Sequence, residues 1–295
     1  MAGGRQMVMD PFIVHKQRII KLTEASLSPG QAGLMLGWGV FTTLRLYGGL
    51  PFEFGRHWER MARDAIRLNV PLGCERDAVQ RLIVELARAN GREEGMARVI
   101  VVRNSGGQWA LPVDGSLSDL LVFTRELPVW PASFRLQIGP TAVLAGGPFA
   151  GAKMLSWAGN SMLMEKARAE GYDDVLLLNE RGEVAECTSA NIFAVHSGKV
   201  VTPPLSSGCL PGVTREILLG MGSQAGFSIS EQPLTLDSLS QANEVFISST
   251  TREAGGVQAV GERWQFKAPG KVTQAIESEF REYVRGRLAS AAPRP

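Results

Sequence analysis

Cysteine, histidine and aromatic residues are scarce in this chain, and neither sign of charge prevails. Of its 295 residues only three are cysteine (Cys74, Cys187 and Cys209), an odd number, far apart, with no C-x-x-C pair. That pattern argues against a disulfide framework and a thiolate zinc site, and points to reduced thiols in the cytoplasm. The three histidines (His15, His57, His196) are scattered and form no H-E-x-x-H, so no metal site is expected. Thirty-one basic residues against 29 acidic ones leave a formal charge of +2, which provides no basic stripe for a nucleic-acid partner. The N-terminus has no long apolar run ending in a small-residue cleavage site. The apolar stretch 32–41 is too short and too rich in glycine to span a bilayer, so no membrane partner is expected.

What is present reads as an ordinary soluble protein, with 44% hydrophobic and 20% charged residues. Its length suits one large domain or two moderate ones. Residues 12–22 alternate in part, as a strand pair with a polar turn would. Val40–Tyr47 reads as a strand, with Gly48-Gly49 turning it into a hairpin partner over Leu50–Phe54. From Arg56, the apolar set Trp58, Met61, Ala65, Ile66 and Leu68 has helical spacing, and Val79, Leu82, Ile83, Leu86 and Ala87 repeat it up to Gly91. The arginines between Arg56 and Arg67, Arg60 excepted, fit a solvated helix face. Arg98–Arg103 and Asp119–Thr124 add two strands. The first part is thus an α+β unit on an antiparallel sheet.

The prolines between Glu126 and Pro131 mark a boundary. The expected organisation is a small N-terminal domain over 1–127, a linker over 128–134 and a larger domain over 135–295. In the latter, strands are expected at Arg135–Gly139, Asp174–Asn179, Asn191–Val195 and Glu244–Ser248. Helices are expected at Met154–Glu170, Thr214–Ala225 and Val272–Ser290.

Four runs carry chemistry: Gly151-Ala-Lys153-Met-Leu-Ser, Val184-Ala-Glu186-Cys-Thr-Ser-Ala-Asn191-Ile-Phe193, Leu210-Pro-Gly-Val-Thr-Arg215 and Ser248-Ser-Thr250-Thr-Arg-Glu253. Lys153 lies in a glycine-containing loop where a helix is expected to start, a setting that suits a nucleophilic amine. Glu186, in small polar residues between two apolar strands, suits a carboxylate facing a protonated ring nitrogen. Gly212, Val213 and Thr214 precede a helix, whose N-terminal N–H groups suit an anion. Ser249, Thr250 and Thr251 follow a strand and offer hydroxyl and amide donors. An amine, a carboxylate and two phosphate-suited turns together point to pyridoxal 5′-phosphate (PLP).

The chain resembles the fold-type IV (class IV) PLP-dependent aminotransferases, a group that includes branched-chain and D-amino acid aminotransferases and 4-amino-4-deoxychorismate lyases. The resemblance runs through G-W-G-V-F-T-T-L-R at 37–45, R-H-W-E-R-M at 56–61, the Lys153 loop, G-E-V-A-E-C-T-S-A-N-I-F at 182–193, L-P-G-V-T-R at 210–215 and E-V-F-I-S-S-T-T at 244–251. It implies an α+β fold of two unlike domains and a homodimer whose site borrows a loop from its partner. Lys153 would be the Schiff-base lysine and Glu186 the partner of the pyridine nitrogen. Arg60, Val213, Thr214, Ser249 and Thr250 would bind the phosphate, and Leu210 would pack on the ring. Phe41, Arg45, Arg103 and Thr251 would line the substrate side, where an amino donor and a 2-oxo acid bind.

No subfamily pattern is complete. Gln108 and Ala110 stand where D-amino acid aminotransferases have an arginine and a histidine. Branched-chain enzymes place a tyrosine where this chain has Ala158, beside Trp157, and their Tyr-x-Arg is missing. Phe41-Thr-Thr-Leu-Arg45 and Arg103-Asn-Ser-Gly-Gly resemble the lyases, though Gln108 replaces a basic residue. Transamination is the expected activity, with lyase chemistry second and a PLP-binding module of little turnover third.

Overall fold

Residues 9–106, 115–221 and 228–291 are described by the structure, a computed structural model. The chain divides into two units. One takes the described residues up to Pro128 together with Lys153–Trp157, and the other takes Val129–Ala152 together with the described residues from Ala158 onward.

In the first unit β1 (Phe12–His15) and β2 (Arg18–Lys21) form a hairpin. Its turn residues Lys16 and Gln17 both have positive φ, as a two-residue turn matched to strand twist requires. After a short α1 (Ala32–Leu36) come β3 (Gly39–Tyr47), β4 (Leu50–Pro51), α2 (Phe54–Arg67), α3 (Arg76–Ala89), β5 (Gly95–Arg103) and β6 (Ser118–Arg125). The six strands pair in the order β2-β1-β6-β5-β3-β4, antiparallel throughout. The strand expected to reach Phe54 stops at Pro51, and Phe54 opens α2 instead. Pro51 has no N–H for a ladder, and Glu53 at φ 50 turns the chain.

On α2, Phe54, Trp58, Met61 and Ala65 are buried on one stripe. Ile66, expected among them, is 82% exposed because it falls off that stripe. On α3, Val79, Ile83 and Leu86 are buried, and both helices join one core with Val40, Leu44, Leu46, Val99 and Val101 of the sheet. The helices therefore cover the sheet face that carries the even-numbered β3 residues.

The second unit begins with β7 (Phe134–Val143), α4 (Ala158–Ala169), β8 (Asp174–Asn179), β9 (Glu183–Cys187), β10 (Asn191–His196) and β11 (Lys199–Thr202). It continues with α5 (Val213–Met221), β12 (Ile229–Glu231), β13 (Leu234–Thr235), α6 (Leu236–Ser240), β14 (Glu244–Ser249), β15 (Glu253–Val260), β16 (Trp264–Gln265) and α7 (Lys271–Ala291). The sheet runs β12-β11-β10-β14-β15-β7-β8-β9-β13, with β16 on β15. β7 is parallel to both β15 and β8, while β10, β14 and β15 form an antiparallel run. Phe193 and Phe246 stack at 4.6 Å across β10 and β14, both fully buried. The end of the helix expected over Thr214–Ala225 lies outside the described residues.

Ile83 has no exposed surface and sits in the helix–sheet core. Ile83→Ala should lower unfolding free energy by about 2–5 kcal/mol, read from denaturant titration; a loss under about 1 kcal/mol would contradict this packing.

Candidate active site

In the first unit the chemistry gathers where α2 crosses β3. His57, Arg60 and Asp64 lie on the buried side of α2. The Arg60 guanidinium Nη2 donates to Thr42 Oγ1 at 2.9 Å, and that oxygen lies 2.8 Å from His57 Nδ1. The threonine hydroxyl, with one donor and two acceptor sites, thus bridges the guanidinium and the imidazole, and the direction of its bond to Nδ1 follows the ring tautomer. Burial, then the charges of Arg60 and Lys153, hold the His57 pKa well below its ordinary value. Burial also raises the Asp64 carboxyl, opposed by the Lys153 N–H and by nearby arginines.

Lys153 is not at a helix start. Residues 153–155 run beside β3: the Phe41 N–H donates to Lys153 C=O at 3.1 Å, the Leu155 N–H to Gly39 C=O at 3.0 Å, and Val40 bridges Met154. The helix expected from Met154 therefore begins only at Ala158. The Lys153 N–H donates to Asp64 Oδ2 at 3.0 Å, so the main chain of the lysine is held on both sides. Its Nζ lies 4.7 Å from the Phe41 ring centre and 4.9 Å from that of Trp157, two rings in edge contact.

Phe41 is buried on β3. Arg45 is 3.5 Å from Glu94 and lies over the Tyr47 ring. Arg103 is committed to main chain: Nε donates to Ser105 C=O at 2.6 Å, Nη1 donates to Asn69 C=O, and the guanidinium stacks on Trp38. Arg98, which sequence reasoning did not single out, lies 4.9 Å from the Phe41 ring. Strand alternation alone does not reveal it; the pairing of Thr43 with Arg98 across β3 and β5 does. His57 and Asp64 were also missed, although three and four residues on either side of Arg60 is the spacing of one helix face. Gln108 and Ala110 lie outside the described residues.

In the second unit Glu186 sits within β9, paired with Leu177, and not in the turn, which falls at residues 188–190. Its Oε2 accepts the Leu210 N–H at 3.0 Å, and Asn191 Nδ2 donates to Leu210 C=O at 2.9 Å. The Leu210 peptide is thus held from both sides. Gly212 follows, and a Cβ there would collide with the Asn191 side chain. α5 then opens with buried Val213 and Thr214. The first intrahelical bond runs from Glu216 N to Gly212 C=O, so the N–H groups of residues 213–215 have no partner within the helix. After β14, Ser249 Oγ accepts the Arg252 N–H at 3.3 Å. Thr250 and Thr251 lie in the turn that follows, half-buried.

These donors fit PLP. The first unit supplies an amine laid against two rings and a buried guanidinium. The second supplies a carboxylate braced by a peptide N–H and a helix N-terminus behind an obligatory glycine. Each unit by itself thus carries donors of the kinds that a PLP-dependent enzyme uses.

The sequence matches place it more closely. Residues 39–260 match the model of the family described as amino-transferase class IV, and the chain belongs to that family. The chain is 25% identical to the branched-chain-amino-acid aminotransferase of Salmonella typhimurium over 290 residues, covering 91% of each chain. It is 25% identical to the D-alanine aminotransferase of Bacillus licheniformis over 276 residues, covering 92% of this chain and 96% of that one. Among solved structures it resembles the branched-chain aminotransferase of the thermophilic archaeon Thermoproteus uzoniensis, crystallised with norvaline. That match has a TM-score of 0.84 at 27% identity and covers 94% of this chain and 95% of the other. The protein is a PLP-dependent aminotransferase of fold type IV, which takes an amino acid and a 2-oxo acid as substrates.

His57 stays neutral in the folded chain, whereas in the unfolded chain it takes a proton below its ordinary value of 6.5. Its contribution to stability is therefore complete above that pH and is lost as the pH falls. Melting temperature followed from about pH 8 to about pH 5 should drop less steeply in His57→Asn, which keeps an acceptor for Thr42 but cannot titrate. Equal slopes would refute a neutral buried His57.

Proposed function

We propose that this enzyme moves an amino group between a branched-chain-type amino acid and a 2-oxo acid, with Lys153 as its catalytic residue. The observation that carries the reading is the lysine itself, its amine laid against Phe41 and Trp157 while Asp64 and β3 hold its main chain. A reactive amine gains most from such restraint, since a misplacement of about 1 Å can cost about a hundredfold in rate. When bound, PLP supplies an electron sink for the negative charge that develops at the substrate α-carbon.

The residues divide the remaining work. Lys153 would hold the PLP aldehyde through Nζ at rest; once the incoming amino group displaces it, the freed Nζ would take the proton from the substrate α-carbon and hand it on in the transfer. Glu186, braced by the Leu210 N–H, would hold the protonated ring nitrogen, and the Leu210 side chain would pack on the ring. Arg60 offers a guanidinium to the phosphate. Val213 and Thr214 offer the amides of a helix N-terminus, and Ser249 and Thr250 add hydroxyls. Phe41, Arg45, Arg103 and Thr251 line the substrate side. Arg98 joins them, because its cation lies 4.9 Å from the Phe41 ring. Pyruvate release from aminodeoxychorismate is the less supported reading, since the relatives described above are aminotransferases.

We further infer a homodimer in the cytoplasm. Support for the dimer comes from Leu34, Met35 and Leu36 of α1, three consecutive apolar residues all about half exposed. Support for the compartment comes from Cys74, Cys187 and Cys209, which are all free thiols. No described helix is long and apolar enough to cross a membrane. Sedimentation velocity should give twice the chain mass, and a monomer would remove the dimer.

The purified protein should show a visible cofactor band that amino donors discharge, and screening both enantiomers of several amino acids identifies the donor. Lys153→Ala should abolish turnover and the band while leaving the melt cooperative; retained activity would refute the assignment. Glu186→Ala should bind PLP yet turn over roughly a hundredfold to a thousandfold more slowly, the cost of removing one preorganised electrostatic group. Wild-type rates in that variant would end its role.

A further inference from the structure

The turn that leaves β14 is gripped from two sides by residues with no part in the chemistry above. On one side is Arg252, whose side chain is only 2% exposed and is paired with the fully buried Asp174. Its Nη2 donates to Asp174 Oδ2 at 3.1 Å, and its Nη1 donates to Ser189 C=O at 3.2 Å and to Ser189 Oγ at 3.0 Å. Asp174 accepts further bonds from Ser189 Oγ, the Thr188 hydroxyl and the Val175 N–H. On the other side, Trp130 Nε1 donates to Thr251 C=O at 3.1 Å, and the Trp130 ring centre lies 4.0 Å from the Arg252 guanidinium carbon.

A buried ion pair is weak grounds for stability, because apolar residues of similar volume often do as well or better. What this pair supplies is register. The side chain of Arg252 closes on Ser189, three residues past Glu186, while its main chain ends the turn that holds Ser249, Thr250 and Thr251. Trp130 fixes the same turn through the Thr251 carbonyl. Two loops distant in sequence are thereby held in one geometry, and a planar, forked, stacking cation is needed to do it.

We propose that Arg252 and Trp130 are positioning residues that set the 249–251 turn for the cofactor phosphate, in register with the strand that carries Glu186. The inference rests on the reading of Thr250 as a phosphate ligand. Substituting either residue loosens the turn and weakens only the part of cofactor binding that depends on phosphate. A general loss of structure would weaken binding with and without phosphate alike.

The experiment measures the affinity of cofactor-depleted, full-length protein for PLP and for pyridoxal, which lacks the phosphate. Wild type is compared with Thr250→Ala, Arg252→Lys, Trp130→Phe and the Thr250→Ala/Arg252→Lys double variant. Thr250→Ala should weaken PLP about tenfold and leave pyridoxal unchanged, the scale of one lost hydrogen bond to a charged group. Arg252→Lys and Trp130→Phe should each lower PLP affinity several-fold, to about tenfold, with pyridoxal again unchanged. The double variant should lose less than the sum of its singles, because both act on one turn. If Thr250→Ala lowers PLP affinity while Arg252→Lys and Trp130→Phe leave it intact, the proposal fails and the phosphate reading stands. Equal weakening of PLP and pyridoxal would also overturn it. If Thr250→Ala itself leaves PLP affinity unchanged, the phosphate reading falls and takes the proposal with it. Should Arg252→Lys not fold, Trp130→Phe decides by the same comparison, since it keeps an aromatic ring and removes the indole N–H.

Discussion

The main-chain pairing of residues 153–155 with β3 is the constraint on which the chemistry proposed for Lys153 depends. A lysine on a free loop pays for reaction with the conformational entropy of the loop and of its own long side chain, roughly 1–2 kcal/mol for each backbone residue fixed. Here the bonds from Phe41 N–H and Leu155 N–H remove that freedom beforehand, and Asp64 closes the remaining direction. The pairing also requires Gly39, where a Cβ would meet the Leu155 side chain and the Val101 carbonyl, both at 2.5 Å. A glycine in a strand otherwise weakens it. At this position its lack of a side chain lets a second segment approach.

Buried charge in both units is matched to a structural task. In the first unit Asp10 takes a bidentate bond from Arg92 and another from Thr124, which ties the start of the described chain to β6. In the second, Glu244 accepts the Val272 and Thr273 N–H groups and the Thr273 hydroxyl, capping α7 at its first turn. An unpaired ion at such depth would cost several kcal/mol. Each carboxylate instead receives several donors, and each closes a connection between segments far apart in sequence. Arg60 follows the same logic: Thr42 orients it without neutralising it, because a hydroxyl contributes no charge.

Much of this was legible from residue order. The 3.6-residue period located α2 and α3, and the β-branched runs located β3, β5 and β6, since each pattern reports one buried face. The motif runs supplied a lysine and a glutamate well before any geometry was known. The failures share a cause, namely pairing between segments far apart in sequence. Residues 154–157 look like a helix start because nothing nearby records that β3 will claim the backbone of residues 153–155. Glu186 looks like a turn residue because Thr188 and Ser189 follow it, while its strand character comes from Leu177 across the ladder. The asymmetry of α2 was half visible: its apolar stripe could be read, but the polar line of His57, Arg60 and Asp64 gains meaning only beside Thr42.

Burial also sets the state of the two cysteines that adjoin Glu186 and Leu210 in the second unit. Cys187 follows Glu186 directly and Cys209 precedes Leu210. Burial pushes Cys209 up to about 12, with the Glu186 charge adding to the shift, and burial with Asp174 raises Cys187 well above the ordinary thiol range. Burial is the larger cause at both thiols and the Glu186 charge adds to it at both, so neither sulfur has the electropositive, partly exposed setting that makes a cysteine reactive.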